Sequence, residues 1–211
     1  MKKIISVFLA FALVLSCITG MVFAKPEADN SVWNGGYDSD LQIDSSGNYL
    51  ISSAEELAYA VSTFGLDNNG NKLKFKLTSD IYLNDITAID WTNGTVREGY
   101  NITPNSWFAG TTAAASTYLA DGKSGIFKGS LDGNGYTVFG LWYSPDMTDT
   151  ASGLIPAVDG TVKNITLSHS YVVGGVYAGA LSSYFKGELS GSNVDETVTV
   201  VVKNNILPLM P

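Results

Sequence analysis

The sequence is short of cysteine, histidine and arginine. Its one cysteine is Cys17, its one histidine His169 and its one arginine Arg97. Cys17 falls in an apolar N-terminal stretch, so neither disulfides nor cysteine-ligated zinc can hold the folded part together. Stability must come from packing and backbone hydrogen bonds. No metal or cofactor site is expected. A lone histidine is also a poor start for a catalytic triad, which needs an oriented nucleophile and a third group. No nucleophile-elbow motif is present. Basic residues are scarce too. Twelve Lys and Arg stand against 20 Asp and Glu, and removing Lys2 and Lys3 with a leader leaves 10 against 20, a net charge of −10. Without a basic cluster the chain is unsuited to nucleic acid or anionic membranes. The acidic surface suits an extracellular protein.

Residues 1–24 read as an export signal. Met1-Lys2-Lys3 is a short basic start, Ile4 to Phe23 is apolar, and Val22-Phe23-Ala24 forms a cleavage-like site before Lys25-Pro26. The alternatives are a retained membrane anchor and lipidation at Cys17, which ends Val14-Leu15-Ser16-Cys17. Cleavage after Ala24 is the expectation. It yields a secreted or cell-surface protein with no membrane insertion after processing.

The mature part has almost no long helical periodicity. Residues 25–48 are polar and turn-rich, an extended lead-in. Tyr49 and Ile51 alternate as in a strand. A helix is expected near 53–64, with Ser52 or Ser53 as N-cap, Glu55 or Glu56 completing a capping box, and Leu57, Ala60, Val61 and Phe64 on one face. Leu73, Phe75 and Leu77 then alternate with Lys72, Lys74 and Lys76, a half-buried strand, and Ile81 and Leu83 continue it. Asp67-Asn68-Asn69-Gly70 is turn chemistry. It fails the EF-hand spacing, since Lys72 and Thr78 occupy the positions that need Gly and Glu. Residues from about 84 to 124 form a long insert rich in aromatics. Beyond it the period is two. Tyr136, Val138 and Trp142 share one side; Ile165, Leu167, His169 and Tyr171 share one face; so do Val198, Val200 and Val202.

One motif is written twice. Phe127-Lys128-Gly129-Ser130-Leu131-Asp132-Gly133 returns as Phe185-Lys186-Gly187-Glu188-Leu189-Ser190-Gly191, 58 residues later. Chemistry needs a motif once; a turning chain needs it at every turn. The offset would hold three coils of roughly 20 residues each, the size of short solenoid repeats. The expected fold is all-β: a right-handed parallel β-helix over 49–203 with an N-terminal strand-helix cap, and a short tail at 204–211. Asn164 is expected to point inward and bond backbone or a neighbouring Asn. The alternative all-β fold is a β-sandwich.

These segments resemble the GLUG-repeat proteins of bacterial surfaces. "VWNGGYDSD" resembles their Trp-x-Gly lead segment and "YLISSAEELAYAV" their strand-and-helix cap. "FKLTSDIYLND" is similar to their first coil. "GIFKGSLDGNGYTVFGLWYS" is similar to the Phe-x-Gly-x-x-Asp-Gly-x-Gly stretch, and "VGGVYAGALSSYFKGELSGSNV" to one GLUG unit. The resemblance covers most of 32–195. It departs from the family in holding one GLUG unit and in placing a long insert around "DWTNG". It implies a right-handed β-helix on an extracellular protein with adhesive or polysaccharide-associated roles.

Three function classes follow. A non-catalytic adhesive or glycan-binding module leads. Its candidate ligand residues are Trp91, Tyr100 and Trp107, because sugar rings stack on aromatics; the same three could instead fold inward as a satellite core. The second class is a polysaccharide lyase or hydrolase, for which Asp80, Asp85, Asp90 and Asp132 are the candidate paired carboxylates. The third is a structural spacer. Asn-x-Thr sequons at Asn93, Asn101 and Asn164 carry no default meaning in a bacterial chain. The expected partner is an extracellular polysaccharide or a host or cell-wall glycan. No capping helix follows Val202, so the last coil is expected either to continue in a longer protein or to stack on a partner, self-association included.

Overall fold

The computed structural model of the protein describes residues 32–107, 125–144, 151–175 and 177–203. Two expected segments, the leader at 1–24 and the tail at 204–211, lie outside them, as does the part of the insert from 108 to 124.

The helix forms where the capping signals place it, at Ala54–Ser62. Ser53 sits in extended backbone, and its hydroxyl accepts the Glu56 N–H at 3.2 Å. The Glu56 carboxylate accepts the Ser53 N–H at 3.1 Å in return. Two otherwise orphaned groups are thereby satisfied. Ala54, Leu57, Ala58, Ala60 and Val61 are buried. The helix ends at Thr63, where Phe64 and Gly65 turn to positive φ (55° and 69°).

The strands are short and stack in parallel. In one sheet Tyr49–Ile51, Lys74–Leu77, Ser130–Asp132, Thr161–Lys163 and Glu188–Ser190 lie side by side in that order. A second sheet stacks Ile81–Tyr82, Thr137–Phe139, Thr166–Ser168 and Asn193–Val194. A third pairs Ser170–Gly174 with Val198–Val202 and reaches Trp142 through Tyr171. The chain is a parallel β-solenoid of about five turns. Inward residues form columns. Phe75, Leu131 and Val162 make one, and Ile81, Val138 and Leu167 another, each residue at most 2% exposed.

The stacking explains the repeated motif. Phe127 pairs with Val158, which pairs with Phe185; Leu131 pairs with Val162, which pairs with Leu189. Between them Gly129, Gly160 and Gly187 stack so closely that a Cβ on Gly160 would lie 2.2 Å from the Gly129 carbonyl, and one on Gly187 1.9 Å from that of Gly160. The copies are therefore two turns apart, not three. The turns take 31 residues (130 to 161) and 27 (161 to 188). The intermediate turn writes the motif as Val158-Asp159-Gly160-Thr161-Val162.

Three local expectations change. Asn164 does not point inward. It sits exposed at a corner with φ 54°, and its Nδ2 donates to Asp132 Oδ1 at 3.1 Å. The buried amide is Asn84, 2% exposed, whose Nδ2 donates to the Gly140 and Asn105 carbonyls at 2.9 Å each and whose Oδ1 accepts the Asn105 N–H at 2.7 Å. A core amide survives only when its donors and acceptors are met. His169 does not continue the face of Ile165 and Leu167. It occupies a corner with φ 43° between two strands, and the corner resets the alternation, so that Val172 takes the core position and Tyr171 the outer face.

The lead-in is not loose where it is described. Trp33 is 4% exposed, and its N–H donates to the Tyr82 carbonyl at 3.0 Å. The turns at 44–48 and 67–71 are alike: Asp44 accepts two N–H groups and the Asn48 side chain, and Asp67 does the same with Asn71. The Asp67 carboxylate is thus committed to its own turn.

Candidate functional site

The insert folds back on the solenoid. Ile89–Asp90 and Thr95–Val96 make an antiparallel hairpin, and its turn lies on the outer face of the third sheet. Gly94 has φ 74°, and a Cβ there would meet the Tyr171 ring at 2.2 Å. The Trp142 indole N–H donates to the Gly94 carbonyl at 2.8 Å. Trp91 is 5% exposed and donates to the Ile86 carbonyl at 3.0 Å. Trp107 is fully buried; its indole N–H donates to the Leu154 carbonyl at 2.9 Å and its ring packs against Trp33. The structure therefore divides the three aromatic candidates. Trp107 offers no open ring face and belongs to the core, Trp91 shows only a rim, and Tyr100 is exposed at 44%.

The four candidate carboxylates serve four local structures. Asp80 accepts the Thr137 N–H, and Asp85 accepts the N–H and hydroxyl of Thr87. Asp90 accepts both groups of Thr92, and Asp132 accepts the Asn134 N–H and pairs with Lys163 at 3.2 Å.

A cleft of about 280 Å³ opens where the hairpin meets the corner of the last turns. Asp90, Trp91, Thr92 and Arg97 line it from the hairpin; His169, Glu196, Thr197 and Thr199 line it from the solenoid. The chain's one arginine and one histidine thus meet in a single cleft. Arg97 spends its Nε on the Ile89 carbonyl at 3.0 Å. Its two terminal nitrogens, and the Glu196 carboxylate, have no hydrogen-bond or ion-pair partner among the described residues.

His169 is held from behind. Its N–H donates to the Thr197 hydroxyl at 2.7 Å, and its Nδ1 lies 2.8 Å from Ser168 Oγ. The Thr197 hydroxyl and N–H both donate to Asp195. Burial pushes the Asp195 carboxyl up, but hydrogen bonds from Ser168 and Thr197 and the nearby imidazole outweigh it and hold the group below the ordinary carboxylate value. Asp90 is also held low, chiefly by the Thr92 hydroxyl and N–H, with Arg97 adding its charge. The cleft thus combines the Asp90 carboxylate, the guanidinium of Arg97, the Glu196 side chain and threonine hydroxyls, with Asp195 holding Thr197 from behind.

Comparison with known proteins yields one similarity. Over 135 residues the chain is 30% identical to Halomucin of Haloquadratum walsbyi, a match that covers 59% of this chain and 1% of that protein. No protein-family model matches the chain, and no solved structure matches it. No helix among the described residues is long and apolar enough to cross a membrane.

The insert is legible in the sequence and the cleft is not. Residues 90–97 and 169–199 come together only because the hairpin docks on Tyr171 and Trp142, a contact without a periodic signature. The rarity of Arg97 and His169 was the available signal, and rarity says nothing about proximity.

A larger groove of about 540 Å³ lies beside the helix N-terminus, lined by Asn34, Tyr37, Asp38, Ser52, Ser53, Glu55 and Glu56. There Glu56 is occupied by the capping box and Glu55 accepts the Asn34 N–H at 3.1 Å. Its acids have structural duties, so the smaller cleft is the better candidate.

Proposed function

We propose that the chain is a non-catalytic β-solenoid module of a secreted or surface-displayed protein, related to the GLUG-repeat proteins, and that it binds glycan. The observation that carries this reading is the cleft at the hairpin, where Arg97 and Glu196 present open donors and acceptors beside threonine hydroxyls. Polyhydroxylated ligands are recognised by such convergent polar groups set against an aromatic wall, and Trp91 provides its rim. The similarity to Halomucin supports an extracellular setting. The commitment of Asp80, Asp85, Asp90 and Asp132 to four separate sets of structural hydrogen bonds favours binding over hydrolysis.

A glycan-array screen with the exported full chain tests the proposal, with degradation of the same glycans followed in parallel. The expected result is retention of at least one polysaccharide class without cleavage, abolished by Arg97→Ala combined with Glu196→Gln. Cleavage would favour the lyase or hydrolase reading. Absence of any binding would favour the spacer.

A further inference from the structure

The chain is acidic, yet stacking gathers most of its described cations on one face. In the first sheet Phe75, Leu131 and Val162 point inward, so their strand neighbours point out. The register sets Lys76, Asp132, Lys163 and Ser190 in one outward row across four turns, and Lys74, Ser130, Thr161 and Glu188 in a second. Lys128, Asp159 and Lys186 form a third, each one residue beyond the paired Phe127, Val158 and Phe185. Lys72 continues that row, since Gly129 packs against the Leu73 carbonyl. Six lysines thus stand against Asp132, Asp159 and Glu188, and Asp44, whose carboxylate feels the Lys76 charge, brings the face to a net +2. The other described residues hold two cations, Arg97 and Lys203, against eleven carboxylates. Lys163 pairs with Asp132 at 3.2 Å. The other five ammonium groups, and the hydroxyls of Ser130 and Thr161 between the rows, have no hydrogen-bond or ion-pair partner among the described residues.

We propose that this face binds an acidic polysaccharide whose carboxylates recur once per disaccharide. It shares no residue with the cleft at the hairpin, so the two readings fail separately. Adjacent strands lie about 4.8 Å apart, which puts Lys76 and Lys163, and likewise Lys128 and Lys186, on the order of 10 Å from each other along the axis. That is close to the length of a disaccharide unit. Between each pair stands one carboxylate, Asp132 or Asp159. A chain with one charge for every two sugars meets both lysines and lays its uncharged sugar over the carboxylate, with Ser130 and Thr161 open to its ring hydroxyls. The same spacing selects against denser polyanions. Duplex nucleic acid carries one charge per about 1.7 Å of axis, and an anionic leaflet is charged throughout. Both would press negative charge onto Asp132, Asp159 and Glu188. No run of lysines announces this face, because Lys76 and Lys163, or Lys128 and Lys186, become neighbours only through the stacking.

Affinity of the exported full chain for hyaluronate, which bears one carboxylate per disaccharide, tests the proposal. Its methyl ester supplies the same polymer without the charge. The expected result is binding of hyaluronate that weakens several-fold between about 50 and about 200 mM salt, as exposed charges require, and no binding of the ester. Lys128→Gln combined with Lys186→Gln should weaken binding about threefold or more, the worth of two exposed ion pairs. Asp159→Asn, which deletes the carboxylate between them, should strengthen it, a gain that a purely structural row of charges would not give. Circular dichroism should be unchanged in both variants. Arg97→Ala with Glu196→Gln separates the two sites: hyaluronate binding lost with that pair and kept with the lysine pair would place the ligand in the cleft and overturn the inference while the cleft reading stands. No binding of hyaluronate at low salt would overturn it as well. So would equal binding of the ester, or tighter binding of duplex DNA, polyglutamate or phosphatidylserine vesicles.

Discussion

Trp107 packs edge-to-face on Trp33, with ring centroids 4.9 Å apart and planes at 63°. The pair joins the lead-in to the return of the insert, and both rings are buried. Trp107→Ala should therefore act through stability. Removing a buried tryptophan costs about 3–5 kcal/mol, and chemical denaturation should show a loss of that order. A double mutant with Trp33→Ala should lose less than the sum, by about 0.5–1.5 kcal/mol, because the ring contact is counted in both single changes. A Trp107→Ala protein with unaltered stability would contradict the burial.

Gly94 ties the candidate site to the solenoid. Gly94→Ala places a methyl against the Tyr171 ring in a backbone conformation that L-residues disfavour by about 1–2 kcal/mol. The hairpin should lift from Tyr171 and Trp142 while the stacked turns persist. The expected record is an unchanged far-ultraviolet spectrum, a red shift of tryptophan emission, and loss of any glycan binding assigned to the cleft. Retained binding with a lifted hairpin would separate ligand recognition from this cleft.

The parts that were legible before folding share one property: their signals are local. Ser53 and Glu56 are three residues apart, and the alternation of Phe75 and Leu77 with lysines needs only a strand and a core. The parallel β-solenoid followed from glycine-bounded strands and a recurring motif. Its pitch did not. The turn between the two Phe-Lys-Gly copies substitutes Val158 and Val162 for Phe and Leu, which the core accepts because apolar character and β-propensity, not residue identity, are what the stacked strands select. Asn164 departs from expectation for a related reason. Asparagine serves equally as a buried ladder residue and as a positive-φ corner, and its φ of 54°, its exposure and its bond to Asp132 appear only in the fold. The cleft needed a contact between segments far apart in the chain.

Acid should weaken the fold at particular carboxylates. Burial raises the Asp195 carboxyl, but the Ser168 and Thr197 hydrogen bonds and His169 carry it net below its usual value of 3.8. Burial likewise raises Asp132, and the bonds from Asn134, Asn164 and Lys163 carry it net down. A carboxyl lowered in the folded state binds its proton more weakly there than in the unfolded chain. Its contribution is present above the unfolded value and is lost as pH falls through the folded value. The denaturation midpoint should be nearly flat near neutrality and fall once the pH drops below about 4. Asp195→Asn should flatten part of that fall. An equally steep fall in the variant would show that Asp195 contributes none of it.

The glycine stack offers the sharpest test of the two-turn register. At Gly160 a methyl would sit 2.2 Å from the Gly129 carbonyl, and that same oxygen accepts the Thr161 N–H at 3.0 Å. Gly160→Ala must push two turns apart or break that bond. At Gly135, φ is 83° but a methyl would meet nothing within 4 Å. Gly135→Ala should cost only the left-handed conformation, about 1–2 kcal/mol. Gly160→Ala carries no such conformational cost, yet its methyl meets backbone and not a side chain that can move aside, so it costs overpacking of about 1–3 kcal/mol in each of the two turns it separates, or the Thr161–Gly129 backbone bond in place of part of that. Denaturation of the two variants side by side should therefore rank Gly160→Ala as clearly the more damaging, with amide exchange quickened at Thr161 and Glu188. If Gly160→Ala proved the milder change, Gly129, Gly160 and Gly187 would not be stacked in adjacent turns.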